Sequence, residues 1–95
     1  MAVAMSDLIL PVKRIYFEQM RSGEKIEEYR LVTPYWIGRL AGKKYDRVIV
    51  TLGYPPRDDA DRRLVFPWRG FHETTITHPH FGADPVRVFA ILVWP

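Results

Sequence analysis

Apolar positions along this chain fall into short blocks separated by turn-forming residues, and most of the blocks have strand character. Leu8-Ile9-Leu10 is a compact apolar run that reads as a first strand ended by Pro11. From Lys13 to Ser22 the pattern turns helical: Val12, Ile15, Tyr16 and Met20 recur at i, i+3, i+4 and i+8 and form one apolar stripe. Gly23 stands where a helix C-terminus wants a residue tolerant of positive φ, and Arg21 in the last turn faces the negative end of the helix dipole.

Extended structure is expected after Gly23, with Tyr, Leu and Val between Glu27 and Val32. Thr33-Pro34 stops it and starts a short helix, Thr33 as N-cap and Pro34 at the first helical position. That helix carries Tyr35, Trp36, Ile37 and Leu40 and closes near Gly42. Tyr45 to Leu52 is the clearest strand, with Val48, Val50 and Leu52 on one face and Ile49 on the other. Pro55 to Asp61 is a polar loop. Arg63 to Phe66 and Trp68 to Thr77 read as strands interrupted at Pro67 and Gly70. His78 to Pro85 is a second loop, and Val86 to Trp94 a final strand apolar on both faces. The order predicts a small α+β domain with a curled or closed sheet rather than a doubly wound one. Residues 6–95 form the single domain, and 1–5 read as a flexible start in which Met5 is an alternative initiator.

Composition narrows the classes. With 47% hydrophobic and 26% charged residues the chain is an ordinary globular protein, too apolar for intrinsic disorder. The absence of cysteine excludes disulfides, thiolate chemistry and cysteine-based zinc sites, and is compatible with a cytoplasmic location. No run approaches the roughly 18 apolar residues of a membrane span, and Met1 to Met5 is too short for a secretory signal. A net charge of +3 and a pI near 9.4 give a mild preference for polyanions. Nine of the Lys and Arg residues lie between Lys13 and Arg47.

The densest ionisable cluster is Glu24-Lys25-Ile26-Glu27-Glu28-Tyr29-Arg30, directly after the first helix. In an extended segment Glu28 and Arg30 share a face, Glu27 and Tyr29 the other, and Lys25 on the preceding turn reaches the volume beside Glu28 and Arg30. A carboxylate between two cations stays ionised, and the trio offers a planar fork and a point charge to a phosphate. Spacing alone favours a structural ion-pair network over a ligand site.

Gly23, Lys25, Glu28 and Arg30 match the G-x-K-x-x-E-x-R signature of the ASCH family, and the helix before it and strands after it are similar to that family's elements. The resemblance covers nearly the whole chain. It implies a PUA-like mixed β-barrel of five to six short strands with one or two short helices, and a cleft lined by the Lys and the Glu/Arg strand. Members of the family bind RNA or nucleotides; some remove acyl groups from N4-acylated cytidine, some cleave RNA, and small stand-alone members occur in phage genomes. In the amidohydrolases a threonine, the proposed nucleophile, stands where this chain has Glu28. A carboxylate cannot serve as that nucleophile, but Glu28 can activate water while Lys25 stabilises an oxyanion.

The leading expectation is therefore an RNA- or nucleotide-binding domain that uses Gly23, Lys25, Glu28, Tyr29, Arg30 and Tyr35. Lys25 and Arg30 hold phosphate or a base edge, Glu28 orients them or accepts from a base amino group, and Tyr29 or Tyr35 stacks. A hydrolase of the same fold, with Lys25 and Glu28 catalytic, is the second expectation, and a protein-interaction module the third. No cofactor and no metal are expected. His78-Pro79-His80 with Asp84 reads more readily as a turn than a metal site, and Asp58-Asp59-Ala60-Asp61 as a solvated loop. Tyr35, Trp36, Trp68 and Phe71 offer stacking surfaces, with Trp36 and Trp68 expected to be the most buried. Lys43-Lys44 is read as a solvated turn within reach of the cleft rim.

Overall fold

Residues 6–95, which a computed structural model describes, form two three-stranded sheets and two α-helices. The start read as flexible, 1–5, lies outside the described residues. Strand β1 (Asp7–Val12) buries Leu8, Leu10 and Val12 and turns Ile9 outward, the alternation of a strand with one face on a core. It pairs in parallel with β3 (Arg47–Leu52), Leu8 opposite Val48 and Leu10 opposite Val50. Pro11, expected to end the first strand, lies inside it. The position is tolerated because β1 is an edge of its sheet, where a missing N–H breaks no ladder. β4 (Arg63–Pro67) pairs antiparallel on the other side of β3.

Parallel pairing of β1 and β3 requires a crossover. The connection contains α1 (Arg14–Ser22), β2 (Glu27–Leu31) and α2 (Pro34–Leu40). β2 leaves the first sheet and pairs antiparallel with β6 (Val86–Leu92), and β5 (Phe71–Ile76) completes the second sheet in the order β2-β6-β5. The central strand β6 buries Val88, Phe89, Ala90 and Ile91 in succession, as its unbroken apolar run predicts. Leu8, Leu10, Val48 and Val50 of the first sheet, Phe89 and Ile91 of the second, and Phe17, Met20 and Leu40 of the helices share one core.

Most of the expected helix stripe is found: Val12 and Met20 are buried and Tyr16 packs on the core, while Ile15 is exposed and Phe17 is buried in the core instead. Both helix boundaries follow local chemistry. Gly23 takes φ 85° and its N–H donates to the Met20 carbonyl, and Thr33 Oγ1 accepts from the Trp36 N–H at 3.3 Å with Pro34 behind it. Among the described residues the strand pairings do not close a barrel: β1, β4, β2 and β5 are all edges. No helix among them is long and apolar enough to cross a membrane.

Candidate functional site

The end of helix α1 sets the position of the first site residue. Beyond Gly23 the chain folds back so that the Lys25 N–H donates to the Gln19 carbonyl at 3.0 Å, a helix-terminal acceptor that also takes the Ser22 hydroxyl at 3.1 Å. Lys25 thereby enters a cleft of about 550 Å³ between the end of β1, the start of α1, β2 and the start of α2. Its ammonium lies 4.2 Å from the Tyr29 ring centroid and 5.6 Å from that of Tyr16. It makes no ion pair among the described residues. Burial lowers the Lys25 pKa from its ordinary value, opposed by the charges of Glu28 and Glu27.

Next along β2, Glu28 is buried and Arg30 half-buried, both held by the pairing of β2 with Ile91 and Phe89 of β6. Arg30 Nη2 donates to Glu28 Oε2 at 2.9 Å and to the Pro11 carbonyl at 2.8 Å, and its guanidinium carbon is 5.2 Å from the Trp36 ring centroid. Burial pushes the Glu28 carboxyl up from its ordinary value, while Arg30 and then Lys25 pull it back. Arg30 Nε is buried without a hydrogen-bond partner, and Nη1 has none among the described residues. Nη1 is not enclosed as Nε is, so a donor of this cation remains unused in a wall of the cleft.

Tyr29 also lines the cleft, although strand alternation sets it on the face opposite Glu28. Its hydroxyl donates to Glu27 Oε1 at 3.3 Å, and Glu27 Oε2 is 2.6 Å from His72 Nε2. Burial and the Glu27 carboxylate raise the Tyr29 pKa. Tyr35 lines the mouth at 65% exposure and packs edge-on against Trp36. Of the sequence-selected residues, Lys25, Glu28, Tyr29, Arg30 and Tyr35 thus meet in one cleft. Gly23 does not line it: its contribution is the left-handed turn that delivers Lys25.

Several lining residues carry no sequence signal for a site. Trp36 and Trp68, expected to be the most buried of these aromatics, are both half-buried; both pack against the core, as does Phe71, but only Trp36 also forms a cleft wall. Tyr16, read as part of the helix stripe, faces the cleft as well as the core. The His78 loop closes one side. His78 Nδ1 accepts from the His80 N–H, capping a 3₁₀ turn at Pro79–Phe81, and both imidazoles lie 5.7 Å from the Tyr16 centroid. No group of three metal-binding side chains occurs among the described residues, and Asp59 instead pairs with Arg62. Lys43 and Lys44 are exposed and do not reach the cleft lining. Tyr54, on the turn after β3, carries no sequence signal beyond being a tyrosine next to a glycine, yet it stands at the mouth.

No family model, curated protein or solved structure matches this chain.

Proposed function

We propose that this protein binds RNA or a modified nucleotide in the cleft around Lys25, Glu28 and Arg30, as a member of the ASCH family with a PUA-like core. The G-x-K-x-x-E-x-R run and the α+β order of elements support the kinship. One observation carries the functional reading: among the described residues the Lys25 ammonium has no ion-pair partner and a donor of Arg30 no acceptor, and both residues line a pocket walled by tyrosine and tryptophan rings. A purely structural ion-pair network would engage its cations with carboxylates. Here Lys25 is held on aromatic faces at the cost of partial desolvation, which an incoming anion offsets. Rings beside the cations suit a base, and the cations suit its phosphate.

Binding of single-stranded RNA and of nucleoside monophosphates by the wild type, Lys25→Ala and Arg30→Ala across a salt series tests the reading. Phosphate contacts predict weaker binding and a shallower salt dependence in both variants. Equal affinity and equal slope in all three proteins refute it.

Catalysis is the second reading, favoured by the opposite displacements of the Glu28 and Lys25 pKa values, which bring both groups closer to neutral pH. Glu28 would activate water and Lys25 would stabilise the oxyanion of an amide under attack. Incubation with N4-acetylcytidine and with single-stranded RNA decides it: turnover lost in Lys25→Ala supports catalysis, and no turnover of either substrate removes it.

A further inference from the structure

The mouth of the cleft carries a second pairing of a cation with an aromatic ring, on elements other than β2. Val12, the last residue of β1, accepts a hydrogen bond from the Gly53 N–H at 3.1 Å, which ties the end of β1 to the turn after β3. The Gly53 carbonyl in turn accepts from Oγ1 of the buried Thr51 at 2.7 Å, so both polar groups of that peptide position are fixed. Gly53 adopts φ 63°, a conformation that costs glycine little and other residues more. The residues that follow these anchors, Lys13 after Val12 and Tyr54 after Gly53, are thereby set at one lip, and both line the cleft.

Neither side chain has structural work there. Tyr54 is 91% exposed, packs on no other ring and makes no hydrogen bond among the described residues, and Lys13 is exposed with no ion pair among them. A single exposed tyrosine on a surface is ordinary. One held on a hydrogen-bonded turn at the mouth of an aromatic cleft that Lys13 also lines has the parts of a base platform with a phosphate contact.

Given the nucleic-acid reading of the cleft, on which this rests, we infer that Tyr54 and Lys13 form a second subsite at the lip. The ligand is then a single-stranded oligonucleotide, not a free nucleotide. One nucleotide occupies the floor at Lys25, Arg30 and Tyr29, and its neighbour along the strand stacks on Tyr54 with a phosphate at Lys13. Backbone charge and the π-face of any base suffice for the outer contact, so it adds affinity without reading sequence.

Calorimetric titration of the wild type, Tyr54→Ala, Lys13→Ala and Lys25→Ala with the four nucleoside monophosphates and with mixed-sequence RNA and DNA hexanucleotides tests this. Both outer substitutions lie on exposed side chains, and unchanged thermal melting confirms intact folding. The wild type is expected to bind a hexanucleotide of at least one sugar type more tightly than any monophosphate. Tyr54→Ala weakens that hexanucleotide roughly five- to a hundredfold, the range of one lost base stack, and leaves monophosphate affinity unchanged. Lys13→Ala weakens the hexanucleotide alone and reduces its salt slope by about one contact. Equal affinity for monophosphate and hexanucleotide, with Lys25→Ala still damaging, overturns the second subsite and leaves the floor site standing. Binding of neither probe, or indifference to Lys25→Ala, overturns both.

Discussion

Arg30 Nη2 donates to Glu28 Oε2 at 2.9 Å and to the Pro11 carbonyl at 2.8 Å, so a single nitrogen joins the carboxylate of β2 to the backbone of β1. Those strands belong to different sheets. The same residue pair therefore lines the cleft and fastens the two sheets to one another.

Arg30→Ala leaves the buried Glu28 carboxylate without its partner and removes the link to Pro11. Stability in urea is expected to fall by about 3 kcal/mol, the lower end for breaking a buried pair, because Arg30 is only partly enclosed. The Glu28 pKa is raised in the folded state, so protonation favours the fold; its contribution is present below the ordinary carboxyl value and lost as pH rises through the raised one. The deficit of Arg30→Ala is therefore largest at neutral pH and shrinks in acid. A deficit independent of pH contradicts this account.

Lys25→Met should behave in the opposite way. An unbranched apolar side chain of similar length replaces the partly desolvated ammonium that lies over Tyr29. A lysine whose folded pKa is lowered weakens the fold while charged, with the penalty relieved only as pH rises through that lowered value. The melting temperature should rise while affinity for anions drops by about tenfold or more, the loss of one charged hydrogen bond. A lower melting temperature would make Lys25 a structural residue.

Gly23→Ala separates the turn from the site. A Cβ there meets nothing within 4 Å, so the only cost is the left-handed backbone at φ 85°. That predicts a loss of about 1 kcal/mol in unfolding free energy. Ligand affinity is expected to stay unchanged, since Gly23 does not line the cleft; reduced affinity in a folded variant would give it a direct part.

Asp7 and Arg47 join β1 to β3 through two hydrogen bonds, of 2.8 and 2.9 Å. The hydrogen bond from Arg47 holds the Asp7 carboxyl below its ordinary value. Its contribution is therefore present above the ordinary carboxylate range and lost as pH falls through the lowered folded value. Asp7→Asn should lower the urea midpoint at neutral pH and match the wild type in strong acid. A difference that persists in acid would assign the effect to packing.

Much of the local structure was legible. Gly23 as a C-terminal cap, Thr33-Pro34 as a helix start and Tyr45 to Leu52 as a strand are found close to where the pattern set them. Each depends on one or two neighbouring residues whose backbone preferences act within a turn. Ile15 and Pro11 depart from the pattern because their settings depend on what lies across space. Ile15 has helical spacing but no facing element, and Pro11 is tolerated only because β1 is an edge.

The sequence by itself determined the charged run from Lys25 to Arg30, the turn that precedes it and the alternation that aligns Glu28 with Arg30, all from covalent neighbours. Tertiary structure alone decided that the Lys25 ammonium rests on Tyr16 and Tyr29 with no carboxylate partner among the described residues, that Trp36 lies against Arg30 in the cleft wall, and that His78, His80 and Tyr54 come to the same opening. Those residues are brought together by the parallel pairing of β1 with β3 and the departure of β2 to the second sheet. Such pairings bury a core shared by strands far apart in the chain, and no spacing within a single segment encodes which loops that core leaves side by side.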